Sequence, residues 1–139
     1  MVYRSTKIFR GYSTCFRQWR AKSHCRLLHG YALEFKATFE GDLDHRNWVV
    51  DFGSFKDIKQ QLNFIFDHTT IIANDDPDLD TFYNLDQNGI IDLRTIDHVG
   101  CEMFAKMVFK LLQTLDTDRA KVISVECFEN STNSAIYGI

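Results

Sequence analysis

From His29 the chain alternates for twelve residues. The odd positions read His29, Tyr31, Leu33, Phe35, Ala37 and Phe39, and the even positions read Gly30, Ala32, Glu34, Lys36, Thr38 and Glu40. A period of two with one apolar and one polar face predicts a β-strand. Such a strand needs neighbours to pair with and a layer to cover its apolar side. Its polar side must meet water or the wet interior of a barrel built by several subunits.

The rest of the chain supplies those neighbours. Residues 3–19, rich in Tyr, Thr, Ile and Phe, read as a first strand with a bulge near Gly11. After a turn at "GDLDHRN", "WVVDF" reads as a short return strand. Ser54 is placed to cap a helix whose apolar face carries Phe55, Ile58, Leu62 and Ile65, and which ends near "FDHTT". A short helix is expected with Asp76 as its cap, Pro77 in its first turn and Gly89 past its end. A longer helix covers about 99–115 on a stripe of Met103, Phe104, Met107, Val108, Leu111, Leu112 and Leu115. "KVISVECFE", with Ile123, Val125, Cys127 and Glu129 on one side, and a closing "AIYGI" read as the last strands. Strands at both ends with helices between them predict an α+β fold, a largely antiparallel sheet with helices on one face.

No linker, repeat or low-complexity tract divides residues 1–139, so a single domain is expected. Twelve phenylalanines predict a well-filled core, or an oligomer interface that hides aromatics. A net charge of −3 recruits neither nucleic acid nor an anionic membrane surface, and no apolar run is long enough to span a bilayer. The one basic cluster, "RQWRAK", is too short to make nucleic acid the leading ligand. "MVYRSTKIFRGYS" has no apolar core of a secretion signal, so a cytoplasmic location is expected, with Cys15, Cys25, Cys101 and Cys127 as thiols.

Polar groups on faces assigned to the interior have to be paired or functional. His29 and Tyr31 open the apolar side of the second strand, and Glu129 ends the apolar side of a late one. Asp67 and His68 stand together at a helix end. A thiol, an imidazole and a carboxylate are the groups that proton-transfer chemistry uses. Taken singly, each also fits a structural role: a core histidine, a helix-end cation, a solvated carboxylate.

Five segments in order are similar to one family. They are "CRLLHGY", "WVVDFGSFK", "FDHTTI", "GCEMFAKMVFKLL" and "VECFENSTNSAIYG", in which Glu129 precedes Tyr137 by eight residues. Together they resemble the 6-pyruvoyl-tetrahydropterin synthase and 6-carboxy-tetrahydropterin synthase family over nearly the whole chain. The resemblance implies the tunnelling fold: four antiparallel strands and two long helices per subunit. It also implies a homo-oligomer, a trimer or a dimer of trimers, whose sheets close into a barrel with active sites between subunits. The catalytic positions fall on Cys25, Asp67 and His68, and the carboxylate that grips a pterin ring falls on Glu129. The substrate implied is 7,8-dihydroneopterin triphosphate. The product is 6-carboxy-tetrahydropterin on the route to 7-deazaguanines such as queuosine, or the pyruvoyl compound of the sister branch. Arg17 and Arg20, with Lys22 and Arg26, stand where a phosphate cradle is needed. The family's cofactor is zinc on three histidines, one on the first strand and two in H-G-H. Here His29 alone keeps its place, Tyr31 replaces the second, and Phe16 is the counterpart of the first-strand histidine, with His24 the nearest further imidazole. The same residues also fit a pterin- or purine-binding oligomer that is zinc-independent or performs no chemistry, in which Tyr31 is a hydrogen-bond donor to the ligand.

Overall fold

The computed structural model of the protein describes residues 3–139. Two long strands, β1 (Tyr3–Phe16) and β2 (His29–Gly41), pair antiparallel from Tyr3↔Gly41 to Phe16↔His29. The register shifts between Phe9 and Tyr12 at Gly11, whose φ of 92° suits a residue without Cβ. The bulge keeps Phe9 and Tyr12 on the same buried face. After β2, α1 (Lys56–Phe66), β3 (Thr69–Ala73), α2 (Leu79–Gln87), β4 (Leu93–Ile96), α3 (Cys101–Gln113), β5 (Ala120–Phe128) and β6 (Ser134–Gly138) follow. The six strands form one sheet in the order β4-β3-β1-β2-β5-β6.

The expected four antiparallel strands are β1, β2, β5 and β6. Two short strands extend them. β3 runs parallel to β1, and β4 parallel to β3, so the sheet is mixed and has six strands rather than four. All five residues of β3 are buried, a continuous run with none of the alternation by which a half-exposed strand is read. "WVVDF" forms no strand. The Asp44 carboxylate accepts from the Arg46 and Trp48 backbone N–H groups, and Asp51 accepts from Gly53 N–H, so these side chains hold the segment in turns. Asp51, not Ser54, caps the 3-10 turn that leads into α1. β5 buries Ala120 and Val122, then Val125 and Cys127, because a bulge at Ile123 changes the phase. Gly138 faces that bulge, where a Cβ would stand 2.2 Å from the Ile123 carbonyl oxygen.

Nine of the twelve phenylalanines are buried, so they fill the core. Phe66 touches Phe35 and Phe104 at centroid distances of 4.9 and 5.3 Å, and Phe104 meets Phe16 edge-on at 5.1 Å. This line of rings carries the rigidity of the core to the end of β1, where the candidate site lies. Replacing Phe66 with Ala is expected to cost about 3–5 kcal/mol, since burial and a cavity are both lost. Replacing Phe64, two-thirds exposed and stacked only on Arg94, is expected to cost about 1 kcal/mol or less. Urea midpoints at fixed protein concentration check the contrast.

Candidate functional site

The loop joining β1 to β2 folds back on itself. Gln18 N–H donates to the Cys25 carbonyl at 2.9 Å, and the Cys25 N–H donates to Ser23 Oγ at 3.3 Å, which caps a single 3-10 turn over His24–Arg26. Cys25 is therefore fixed at the base of β2, half-buried. The other thiols are occupied elsewhere. Cys15 Sγ lies 3.0 Å from Thr70 Oγ1. The Cys127 thiol is pushed up first by its hydrogen bond with Cys101, then by burial and by neighbouring charge, so it stays protonated and unreactive. Among the described residues Cys25 Sγ has no hydrogen-bond partner.

Tyr31 is the floor of this corner. Its ring stacks on Phe16 with centroids 4.1 Å apart and planes 14° from parallel. Its phenol is raised above the ordinary range, first by burial and then by the charges of Glu129, Cys25 and Cys101. Tyr31 thus lies within electrostatic reach of both the carboxylate and the thiol, and its phenol remains a hydrogen-bond donor at neutral pH. Glu129 sits one residue past β5, where the Asn130 side chain organises the next turn by accepting from Thr132 and Asn133 N–H. Asn133 Nδ2 donates to Glu129 Oε1 at 3.3 Å and orients the carboxylate. The Asx turn in "NSTN" was a signal of that support in the sequence.

Asp67 and His68 form the expected pair on the opposite flank of β1. Asp67 Oδ1 accepts from His68 Nδ1 at 3.0 Å and from Ser13 N–H at 3.3 Å, and His68 N–H donates to the Ser13 carbonyl. His68 takes a φ of 57°, and its ring is 83% exposed. With Nδ1 held by the carboxylate, Nε2 is left to a partner. Asp67 makes itself felt at Tyr12, whereas Cys25 does so at Tyr31. No hydrogen bond, ion pair or ring contact joins this pair to Cys25 among the described residues. The two groups of residues stand apart within one chain.

The basic loop residues have partners that spacing did not reveal. Arg17 grips Asp76 with both arms, at 2.8 and 2.5 Å, reaches Asp78 at 2.8 Å and lies over Phe82. Arg20 pairs with Asp75 and stacks on Trp19. Asp76 is not the cap of α2: Asp78 holds that position, and Asp76 accepts from its N–H. Lys22 and Arg26 are exposed on the same loop.

A four-stranded antiparallel sheet extended by two parallel strands, with the long helices on one face, is the tunnelling fold. The chain belongs to the 6-pyruvoyl tetrahydropterin synthase family, whose profile matches residues 6–138. Among solved structures, an uncharacterized protein of Wolinella succinogenes superposes with a TM-score of 0.86 at 21% identity, covering 98% of this chain and 97% of that one. The 6-pyruvoyl tetrahydropterin synthase of Caenorhabditis elegans gives 0.67 at 16% identity, covering 99% and 95%. That of Plasmodium vivax gives 0.67 at 14%, covering 99% and 100%. No curated protein matches the sequence. No helix among the described residues is long and apolar enough to cross a membrane.

Zinc, the family's cofactor, does not fit the residues present. The His29 ring donates through Nδ1 to Leu27 O, 2.8 Å away, and meets His24 edge-on at 5.9 Å. Phe16 offers no donor atom, and Tyr31 is held as a neutral phenol. Among the described residues no three His, Cys, Asp or Glu side chains converge to hold an ion.

Arg17 and Asp76 give a test of the loop. Burial pushes the Asp76 carboxyl up, but the Arg17 hydrogen bonds, the Asp78 N–H and the guanidinium charge outweigh it and hold the carboxyl below its ordinary value. A depressed folded-state pKa stabilises the protein above the unfolded value of about 4, and that stability is lost as pH falls through the folded value. Arg17→Gln is expected to cost about 2–4 kcal/mol at pH 7 by leaving a buried carboxylate unpaired. The loss should shrink as pH falls below about 4, which urea titrations across pH would show.

Proposed function

We propose that the protein is a lyase acting on 7,8-dihydroneopterin triphosphate, with 6-carboxy-tetrahydropterin as its product and 7-deazaguanines as the destination of that product. The observation that carries this reading is Tyr31 stacked on Phe16 at the end of the β1–β2 ladder, with the Cys25 thiol and the Glu129 carboxylate both near enough to act on its phenol. A carboxylate there can accept two hydrogen bonds from the amino and ring N–H groups of a pterin. In this reading the aromatic floor and the thiol would flank the pterin's side chain. A homo-oligomer would bring the two groups of residues together. Asp67 and His68 of one copy would complete the Cys25 corner of the next, with Asp67 fixing the tautomer and His68 Nε2 passing protons. The short edge strands β4 and β6, of four and five residues, leave unpaired backbone groups suited to joining sheets. With Arg17 and Arg20 neutralised by carboxylates, Lys22 and Arg26 are the cations best placed for the phosphates.

In this reading Cys25 exchanges protons at the side-chain carbons. Glu129 holds the ring, and Tyr31 donates to a side-chain oxygen. Mass spectrometry after incubation with 7,8-dihydroneopterin triphosphate should show 6-carboxy-tetrahydropterin, and a pyruvoyl product would name the sister branch. Cys25→Ala should lower turnover by about a hundredfold or more while leaving pterin binding near wild type. Glu129→Ala should weaken binding by more than about tenfold, the worth of a charge-assisted hydrogen bond. Saturable binding that Glu129→Ala abolishes, with substrate unchanged, would instead identify a pterin-binding oligomer.

A further inference from the structure

Positions 16, 29 and 31 share one face of the β1–β2 ladder. Phe16 pairs directly with His29, and Tyr31 pairs with Thr14, so Phe16 and Tyr31 are diagonal neighbours across the strands. Three imidazoles at these positions would converge on one point. Two of the three are instead a phenyl and a phenol, and they have closed on each other. At 4.1 Å between centroids and 14° between planes, the rings are in van der Waals contact, and an ion with bonds of about 2.0–2.1 Å to its ligands has no room between them.

The contact is built into the core. Phe16 has no exposed surface, and Phe104 packs edge-on against it at 5.1 Å. Neither replacement can be undone by a side-chain rotation alone, because the ring of Phe104 fixes one member of the pair and the strand register fixes the other. His29, the remaining imidazole, has one nitrogen turned to Leu27 O and His24 beside it, which is short of a tetrahedral site.

We infer that the Phe16–Tyr31 stack stands in the place of a metal centre, that the site takes its ligand without zinc, and that the Tyr31 hydroxyl supplies the hydrogen bond to the ligand's side-chain oxygen. The last part rests on the pterin reading above; the first two do not. The stack and a metal are mutually exclusive occupants of one volume. The exchange therefore replaces a cation that draws electron density with a neutral donor on an aromatic wall.

Two substitutions should rebuild what the stack displaced. Protein incubated with equimolar zinc and then desalted is assayed by plasma mass spectrometry, with circular dichroism to confirm folding. Wild type is expected to keep well under about a tenth of a zinc per subunit, and the double variant Phe16→His, Tyr31→His about one. Should the buried Phe16→His change prevent folding, Tyr31→His alone still places two imidazoles on one face. It should then bind zinc at least about tenfold more tightly than wild type in competition with a chromogenic chelator. Wild type that retains about one zinc per subunit and loses it in His29→Ala overturns the inference. So do folded variants that gain no zinc. Tyr31→Phe keeps the stack and removes the hydroxyl, and should weaken neopterin binding by about tenfold, with zinc content unchanged. Equal affinity of Tyr31→Phe and wild type overturns the role given to the hydroxyl. Zinc-free wild type that binds no pterin would defeat the proposed function while upholding the metal-free site, so the two failures read differently.

Discussion

The antiparallel ladder between β1 and β2 is the constraint on which the rest depends. It runs the full length of both strands, and its register is set by the apolar face of β2 and by the bulge at Gly11. A slip of one residue would turn Leu33, Phe35, Ala37 and Phe39 outward and Glu34, Lys36 and Thr38 into the core, so no neighbouring register competes. The same register fixes Phe16 opposite His29 at the open end of the ladder. The loop that crosses that end is pinned by Gln18 N–H on the Cys25 carbonyl. Core packing and site geometry are thus consequences of one pairing.

β1 also divides the chemistry. Its β2 side carries the thiol, the phenol and, through β5, the carboxylate. On its other flank, Ser13 offers both backbone groups to Asp67 and His68, which holds the imidazole outward in a left-handed conformation. A non-glycine residue accepts that conformation at some cost, and strain of this kind gathers at functional positions. An imidazole that is 83% exposed, with its tautomer fixed, is poorly explained by the packing of its own chain. On the proposed function it would work on a neighbouring copy.

The sequence exposed these features unevenly. β2 was legible because one face is buried and the other wet, which produces alternation. β3 was not, because Thr69–Ala73 is buried throughout and begins only two residues after α1 ends. The turns at 44–53 looked like a strand from "WVVDF", since nothing in composition shows Asp44 and Asp51 capturing the local N–H groups. Cys25, Asp67, His68 and Glu129 could be singled out by residue type and by resemblance. Their positions on opposite flanks of β1 depended on pairings far apart in the chain. The partnership of Arg17 with Asp76, 59 residues away, was hidden for the same reason. The replacement of two imidazoles was visible as missing ligands, but that the substitutes stack on each other needed the ladder.

The division of the site between copies is the central claim, and subunit mixing tests it most directly. Cys25→Ala and His68→Ala chains would be assayed for lyase turnover separately, then after co-unfolding and reassembly into mixed oligomers. If each corner draws Cys25 from one copy and His68 from its neighbour, mixed oligomers contain some corners with both groups intact. Activity that neither parent shows should then return. Mixed oligomers that assemble as wild type does yet remain as inactive as their parents would mean that Cys25 and His68 serve one site within one chain, and would contradict the account.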